Sequence, residues 1–181
     1  MKNLVNLLIF QTGWLASVVG AANGYPWLSL LAVALLVPLH CAVVGRACKI
    51  DFQLMAALLI VGLCWDSFLQ ASGLVRFHQG FWLGNAAPCW ILALWILFSL
   101  TLNHSLGWLR KRLWLGLLFG AVGGPLSYFA GEKLGALSLN ENYSLLVIAL
   151  GWALITPLCC WLARIFHRRL QFSELAEGNG V

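Results

Sequence analysis

Six apolar stretches, each about as long as the roughly 20 residues that span a bilayer, dominate this chain: Asn3 to Ala22, Tyr25 to Gly45, Phe52 to Gly73, Ala87 to Trp108, Leu113 to Leu134 and Tyr143 to Ile165. They are too many and too long for one soluble core. With 61% hydrophobic and only 9% charged residues, the implied solvent is hydrocarbon. The expected fold is all-α: a polytopic bundle of six transmembrane helices joined by short loops, forming one domain over residues 1–169. Residues 170–181 read as a short cytoplasmic tail, expected to be disordered.

Basic residues give the orientation. Lys2, Arg46, Lys49, Arg110, Lys111, Arg112, Arg164, Arg168 and Arg169 collect on one side of such a bundle, and only Arg76 and Lys133 on the other. By the positive-inside rule both termini are expected in the cytoplasm. The net charge of +5 is then a topological excess that needs no nucleic acid to explain it, and anionic lipid headgroups are the natural partner. The first stretch has Lys2 and small residues at Ala21 and Ala22, as a signal peptide would. It is nevertheless expected to stay as a helix, because it spans unaided and carries Gln11 and Trp14.

Within the hydrocarbon the polar residues sort into two layers by the 1.5 Å rise of a helix. Asp66 lies about 11 Å below the outer end of the third stretch, with Gln70 one turn above it. Ser127 and Tyr128 of the fifth stretch lie at a similar depth, so Asp66, Gln70, Ser127 and Tyr128 form a candidate outer cluster. His40, Asn103 and His104 lie about 8 Å from the cytoplasmic end, with Gln11 slightly deeper. The layers are on the order of 10 Å apart, which keeps Asp66 and His104 out of one coordination shell. An ionisable group at such depth is costly and usually functional, and its structural alternative is a protonated interhelical hydrogen bond.

In the fifth stretch Gly116, Gly120 and Gly124 recur every four residues, a stripe that lets another helix approach closely. Gly123-Gly124-Pro125 predicts a kink or short break beside Ser127 and Tyr128. Trp27, Trp82 and Trp90 fall near the outer boundary and Trp108, Trp114 and Trp161 near the inner, as interfacial belts do. Trp14, Trp65, Trp95 and Trp152 sit deeper, where bulk is their simplest role. The six cysteines have no Cys-x-x-Cys spacing and read as packing residues, neither disulfide frame nor zinc site.

Known catalytic signatures are missing: no histidine-rich boxes, His-Glu-x-x-His, Gly-x-Ser-x-Gly, P-loop or Asp-rich magnesium motif occurs. The inventory calls for no cofactor and no metal. Any chemistry would rest on Asp66, His104 and Tyr128 as acid or base, with Gln11, Trp14, Gln70, Asn103 and Ser127 as binding groups. Proton transfer or isomerisation suits that set better than hydrolysis or redox chemistry.

Gln11-Thr12-Gly13-Trp14, Trp65-Asp66-Ser67, Asn103-His104-Ser105 with Trp108, and Gly123 through Gly131 (Gly-Gly-Pro-Leu-Ser-Tyr-Phe-Ala-Gly) resemble the signature segments of a family of small bacterial inner-membrane proteins catalogued only as a domain of unknown function. The resemblance reaches to about Arg169 and implies a multi-pass protein of the bacterial inner membrane. Gene neighbourhoods associated with that family, for fatty-acid modification and photo-oxidative stress, imply a lipid-related role. Three function classes follow: binding or moving a lipid or other apolar molecule; a cofactor-independent membrane enzyme acting on a lipid; and a non-catalytic accessory subunit, holding a lipid-modifying enzyme or another copy of itself through the glycine face. A faint likeness of Asp66-Ser67-Phe68 to Leu126-Ser127-Tyr128 adds the prospect of an internal repeat.

Overall fold

The computed structural model describes residues 2–45, 48–80 and 84–178, with side chains to residue 168. Arg46, Trp82 and the Arg169 side chain lie outside the described residues. Among the described residues the order is α1 (Lys2–Ala22), α2 (Leu28–Val44), α3 (Cys48–Ala71), β1 (Val75–Phe77), α4 (Cys89–Leu102), a 3-10 turn (Gly107–Lys111), α5 (Leu113–Lys133), β2 (Leu137–Leu139) and α6 (Ser144–Gly178). Four helices, α1, α3, α5 and the Ser144–Arg168 part of α6, are long and apolar enough to cross a membrane. The other two, α2 and α4, are shorter, at 17 and 14 residues.

Burial is inverted relative to a soluble protein. Leu35, Ile60 and Leu154 are 63%, 65% and 71% exposed, whereas Asn6, His40, Asp51, Asp66, Thr101 and Thr156 are at most 2% exposed. An apolar outside and a polar inside suit a bilayer. At the centre stands α4, with α1, α2 and α3 packed around it; α5 pairs along its length with α6, which also meets α3.

Several boundaries differ from expectation. The fourth apolar stretch is not one helix: it stops at Leu102, where the amides of His104 and Leu106 both return to the Thr101 carbonyl and turn the chain into the 3-10 segment. α3 begins at Cys48, so Asp51 lies a turn inside the helix and is buried. The backbone of α6 continues as helix to Gly178, into the segment read as a tail. Cys41 and Cys48 form a disulfide, correcting their reading as packing residues: the short α2–α3 connection brings their Cα atoms to 5.2 Å. Trp90 is not a belt residue either, being 1% exposed and donating its indole N–H to the Gln79 carbonyl at 2.6 Å.

The glycines seat large side chains of neighbouring helices. Gly116, Gly120 and Gly124 of α5 face Pro157, Thr156 and Trp152 of α6; Gly62 of α3 takes the Trp95 ring and Gly151 of α6 the Trp65 ring. The stripe expected to serve self-association or a partner is therefore covered by the protein's own α6. That contact runs along α5 up to the residue before Pro125, and the helix continues unbroken through the expected break.

The two strands, absent from the sequence reading, disclose the repeat. β1 and β2 pair antiparallel with Val75 opposite Leu139, Arg76 opposite Ser138 and Phe77 opposite Leu137. Around that ladder a set of local bonds occurs twice. Gln70 accepts from the Phe77 amide and Glu132 from the Leu139 amide; Gly73 N–H bonds the Gln70 carbonyl and Gly135 N–H that of Glu132. His78 N–H reaches the Ala136 carbonyl and Asn140 N–H that of Leu74, and the His78 and Asn140 side chains meet the Gly135 and Gly73 carbonyls respectively. Gly73 and Gly135 both turn the chain at positive φ, 74° and 86°. Matching positions stand 62 residues apart, the same separation as Asp66 from Tyr128. The α3–β1 and α5–β2 units are thus related by a local pseudo-two-fold axis that aligns Asp66 with Tyr128, two positions away from the register suggested by the sequence likeness.

Glycine placement gives a direct test. Gly124→Ala, whose new methyl meets the Trp152 ring, is expected to lower stability by about 1–3 kcal/mol. Gly123→Ala meets only the Phe119 ring edge at 3.8 Å and is expected to be neutral or slightly stabilising. Thermal unfolding of both variants in detergent measures the difference.

Candidate functional site

Buried polar side chains gather at two places. Near the β ladder, Asp66 of α3 accepts hydrogen bonds on both carboxylate oxygens, from the Tyr128 hydroxyl of α5 on Oδ1 and from the Trp95 indole N–H of α4 on Oδ2, the latter at 2.6 Å. Gly62, one turn before Asp66 on α3, lets the Trp95 ring lie against that helix and aims its N–H at the carboxylate. Trp95 stacks on Trp152 with ring centroids 5.1 Å apart at 14°, and Phe98 stands edge-on to both. Trp14 of α1 donates to the Ser127 hydroxyl of α5 at 3.1 Å.

These groups border two adjoining cavities. The smaller, about 80 Å³, has Asp66 and Tyr128 in its wall, with Trp14, Trp90, Trp95, Phe98 and Trp152 around them. The larger, about 490 Å³, extends toward Leu106 and runs between α1 and α5, lined by Gln11, Gly123, Leu126 and Thr156 among others. Phe10, Trp14, Phe98, Ser127 and Trp152 belong to both walls. Because Leu7, Phe119 and Leu126 are more than 40% exposed, the larger space opens sideways at the surface. Thr156 of that wall is 1% exposed, and its hydroxyl, without a hydrogen-bond partner among the described residues, is packed against Gly120.

The local repeat explains why space exists there. On the α3 side Trp65 fills the approach to α6 by seating on Gly151. Its equivalent on α5 is Ser127, too small to fill the corresponding approach to α4, and Trp14 of α1 reaches in to bond it.

At the opposite end a second cluster centres on Asp51. Its Oδ2 meets His40 Nε2 at 2.8 Å and His104 Nε2 at 2.9 Å, and its Oδ1 accepts from Asn103 Nδ2 at 2.8 Å. Arg110 donates to Asn103 Oδ1 at 2.9 Å. Burial lowers the Arg110 guanidinium pKa from its usual value, and the nearby Asp51 opposes that shift. Asn6 of α1 sets the chemistry of the cluster. Its Oδ1 accepts from the Ser105 amide and hydroxyl, and its Nδ2 donates to the Leu100 carbonyl and to His40 Nδ1. A backbone amide can only donate, which fixes the orientation of the Asn6 amide, and His40 Nδ1 must accept. The His40 proton is therefore on Nε2, where it points at Asp51. One ligand atom from each of His40, Asp51 and His104 lies within 4.8 Å of the others. Using His40 Nε2 for a metal would push its proton to Nδ1, against the Asn6 donor, so this cluster holds protons in preference to a cation.

The sequence-predicted residues divide accordingly. Asp66 and Tyr128 bond to each other, and Ser127 and Trp14 border the same space. Gln70 belongs elsewhere, accepting from the Phe77 amide at the β1 turn. Gln11 is exposed at the rim of the larger cavity, and Asn103 and His104 join His40 through Asp51. Sequence reasoning missed Asp51, Asn6 and Trp95. Extending the third helix back one turn would have brought Asp51 into the buried set. No sequence signal pointed Asn6 at His40 or Trp95 at Asp66.

A family model described as "Protein of unknown function (DUF2878)" matches residues 3–158, which include both clusters. No curated protein and no solved structure matches the chain.

Asp51→Asn leaves one imidazole or amide donor without its acceptor and is expected to destabilise the fold by about 1–3 kcal/mol. Zinc, and equally a chelator, should leave the wild-type melting temperature unchanged. Stabilisation by zinc that vanishes in His40→Ala would contradict the proton assignment.

Proposed function

Since the chain belongs to the family described as "Protein of unknown function (DUF2878)", a description that assigns no activity, we propose from its geometry that it is a multi-pass protein of the bacterial inner membrane that binds a lipid or other amphiphile in the cleft between α1 and α5. The observation that carries this reading is the pair of adjoining cavities, one at the exposed side of that cleft and one at the Asp66–Tyr128 pair, with Phe10, Trp14, Phe98, Ser127 and Trp152 in both walls. At about 490 Å³ the larger cavity falls within the 300–1,000 Å³ usual for ligand sites. Its walls are largely apolar and aromatic, with a few polar groups at Gln11, Trp14, Ser127 and Thr156. A lateral opening is the entry an acyl chain needs from a bilayer.

In this reading six helices cross the membrane with both termini in the cytoplasm, the short α4 at the centre and α2 among the helices packed around it. Basic residues at the Asp51 end contact anionic headgroups. The enzyme alternative draws less support, because His104 lines neither cavity and is tied to Asp51. The accessory alternative loses the glycine face it required, which α6 covers.

Ser127→Trp places on α5 the bulk that Trp65 supplies on α3, and so fills the cavity without disturbing Asp66. Native mass spectrometry of the purified protein is expected to show bound lipid on the wild type and little on Ser127→Trp. Equal lipid occupancy in both would overturn the proposal.

A further inference from the structure

The two buried aspartates are treated differently by the protein. Asp51 has His40 and His104 within 2.9 Å and the Arg110 guanidinium one residue further on. Among the described residues no Lys, Arg or His forms an ion pair with Asp66. Both Asp66 oxygens have hydrogen-bond partners, Tyr128 and Trp95, and an ionised carboxylate satisfies both by accepting. A carboxylate so placed keeps further lone pairs for a third partner. Yet it is 1% exposed, and hydrocarbon is a poor place for an uncompensated charge.

The rest of the small cavity fits a positive charge. Trp14, Trp90, Trp95, Trp152 and Phe98 form its walls beside Asp66. Aromatic faces carry negative quadrupole density and attract cations, most strongly where water is excluded and the ring is an indole. A space of about 80 Å³ suits a compact head, while the adjoining cavity of about 490 Å³ suits an alkyl chain. An anionic head would meet the Asp66 charge, and a bare hydrocarbon would leave that charge unpaired.

We propose that the cavity formed by Asp66, Tyr128 and the surrounding tryptophans binds the cationic head of an amphiphile, a quaternary ammonium or protonated amine, whose chain occupies the α1–α5 cleft. This rests on the amphiphile-binding reading above and names its ligand class. Asp66 supplies the counter-charge, Tyr128 and Trp95 hold the carboxylate in place, and the aromatic rings that line the cavity replace the water around the cation.

Calorimetric titration of the full-length protein in maltoside detergent tests it, with dodecyltrimethylammonium as the cationic probe and dodecyldimethylamine N-oxide at pH 8 as its net-neutral counterpart. The wild type is expected to bind the cation about tenfold or more tightly than the N-oxide, as one charge-assisted contact provides. Asp66→Asn, which keeps shape but not charge, should lose that preference, whereas Asp51→Asn, at the other buried aspartate and outside both cavities, should retain it. Should Asp66→Asn fail to fold, the wild-type ratio of the two affinities decides. Equal affinity of the wild type for both probes, an unchanged preference in folded Asp66→Asn, or loss of the preference in folded Asp51→Asn overturns the cation assignment and leaves the amphiphile cleft standing. Absence of binding by either probe, with equal lipid occupancy in wild type and Ser127→Trp, overturns both.

Discussion

The three-residue ladder between β1 and β2 sets the position of almost everything else of interest. Antiparallel pairing that puts Arg76 opposite Ser138 permits one register between the ends of α3 and α5. A slip of one residue would turn every side chain of a strand to the other face. The register is reinforced by side chains that satisfy strand amides, Gln70 for Phe77 and Glu132 for Leu139, so polar atoms near the membrane boundary are spent on holding the two turns. With the turns locked, α3 and α5 descend in parallel, and the equivalent positions 66 and 128 meet as a carboxylate and a hydroxyl.

The bundle departs from that local symmetry where the cavities lie. One unit carries Trp65, which closes against α6 over Gly151; the other carries Ser127, and the space it leaves is bounded by α4, α5, α6 and α1. Its walls are largely apolar and aromatic, with Asp66, Ser127 and Tyr128 as the polar groups beside the tryptophans. α1 thereby does two jobs from one helix: Trp14 partly closes the space at Ser127, and Asn6, more than two turns earlier, fixes the His40 tautomer in the other cluster.

Much of the architecture was legible in the chain. Apolar length announced helices, the Gly116-Gly120-Gly124 spacing announced a close helix contact, and depth arithmetic placed Asp66 with Tyr128 and His104 with His40. What the sequence hid follows from how each signal arises. Asp51 was hidden because a helix that begins before its apolar run gives no hydropathy signal. The strands were hidden because three residues are too few for a periodicity. Gln70 was assigned to the wrong partner because a rise per residue gives height along the membrane normal and says nothing about which neighbour a side chain faces.

The sequence alone determined the solvent, the helical class and the layer in which each polar group resides, because these follow from local composition, the cost of unsatisfied backbone in hydrocarbon and a constant rise per residue. Only the tertiary structure decided which groups touch. The partner of Asp66, the tautomer of His40 and the space beside Ser127 all depend on the azimuth of one helix about its axis relative to another. That angle is set by the strand register and by the glycines that admit tryptophan rings, contacts between residues far apart in the chain.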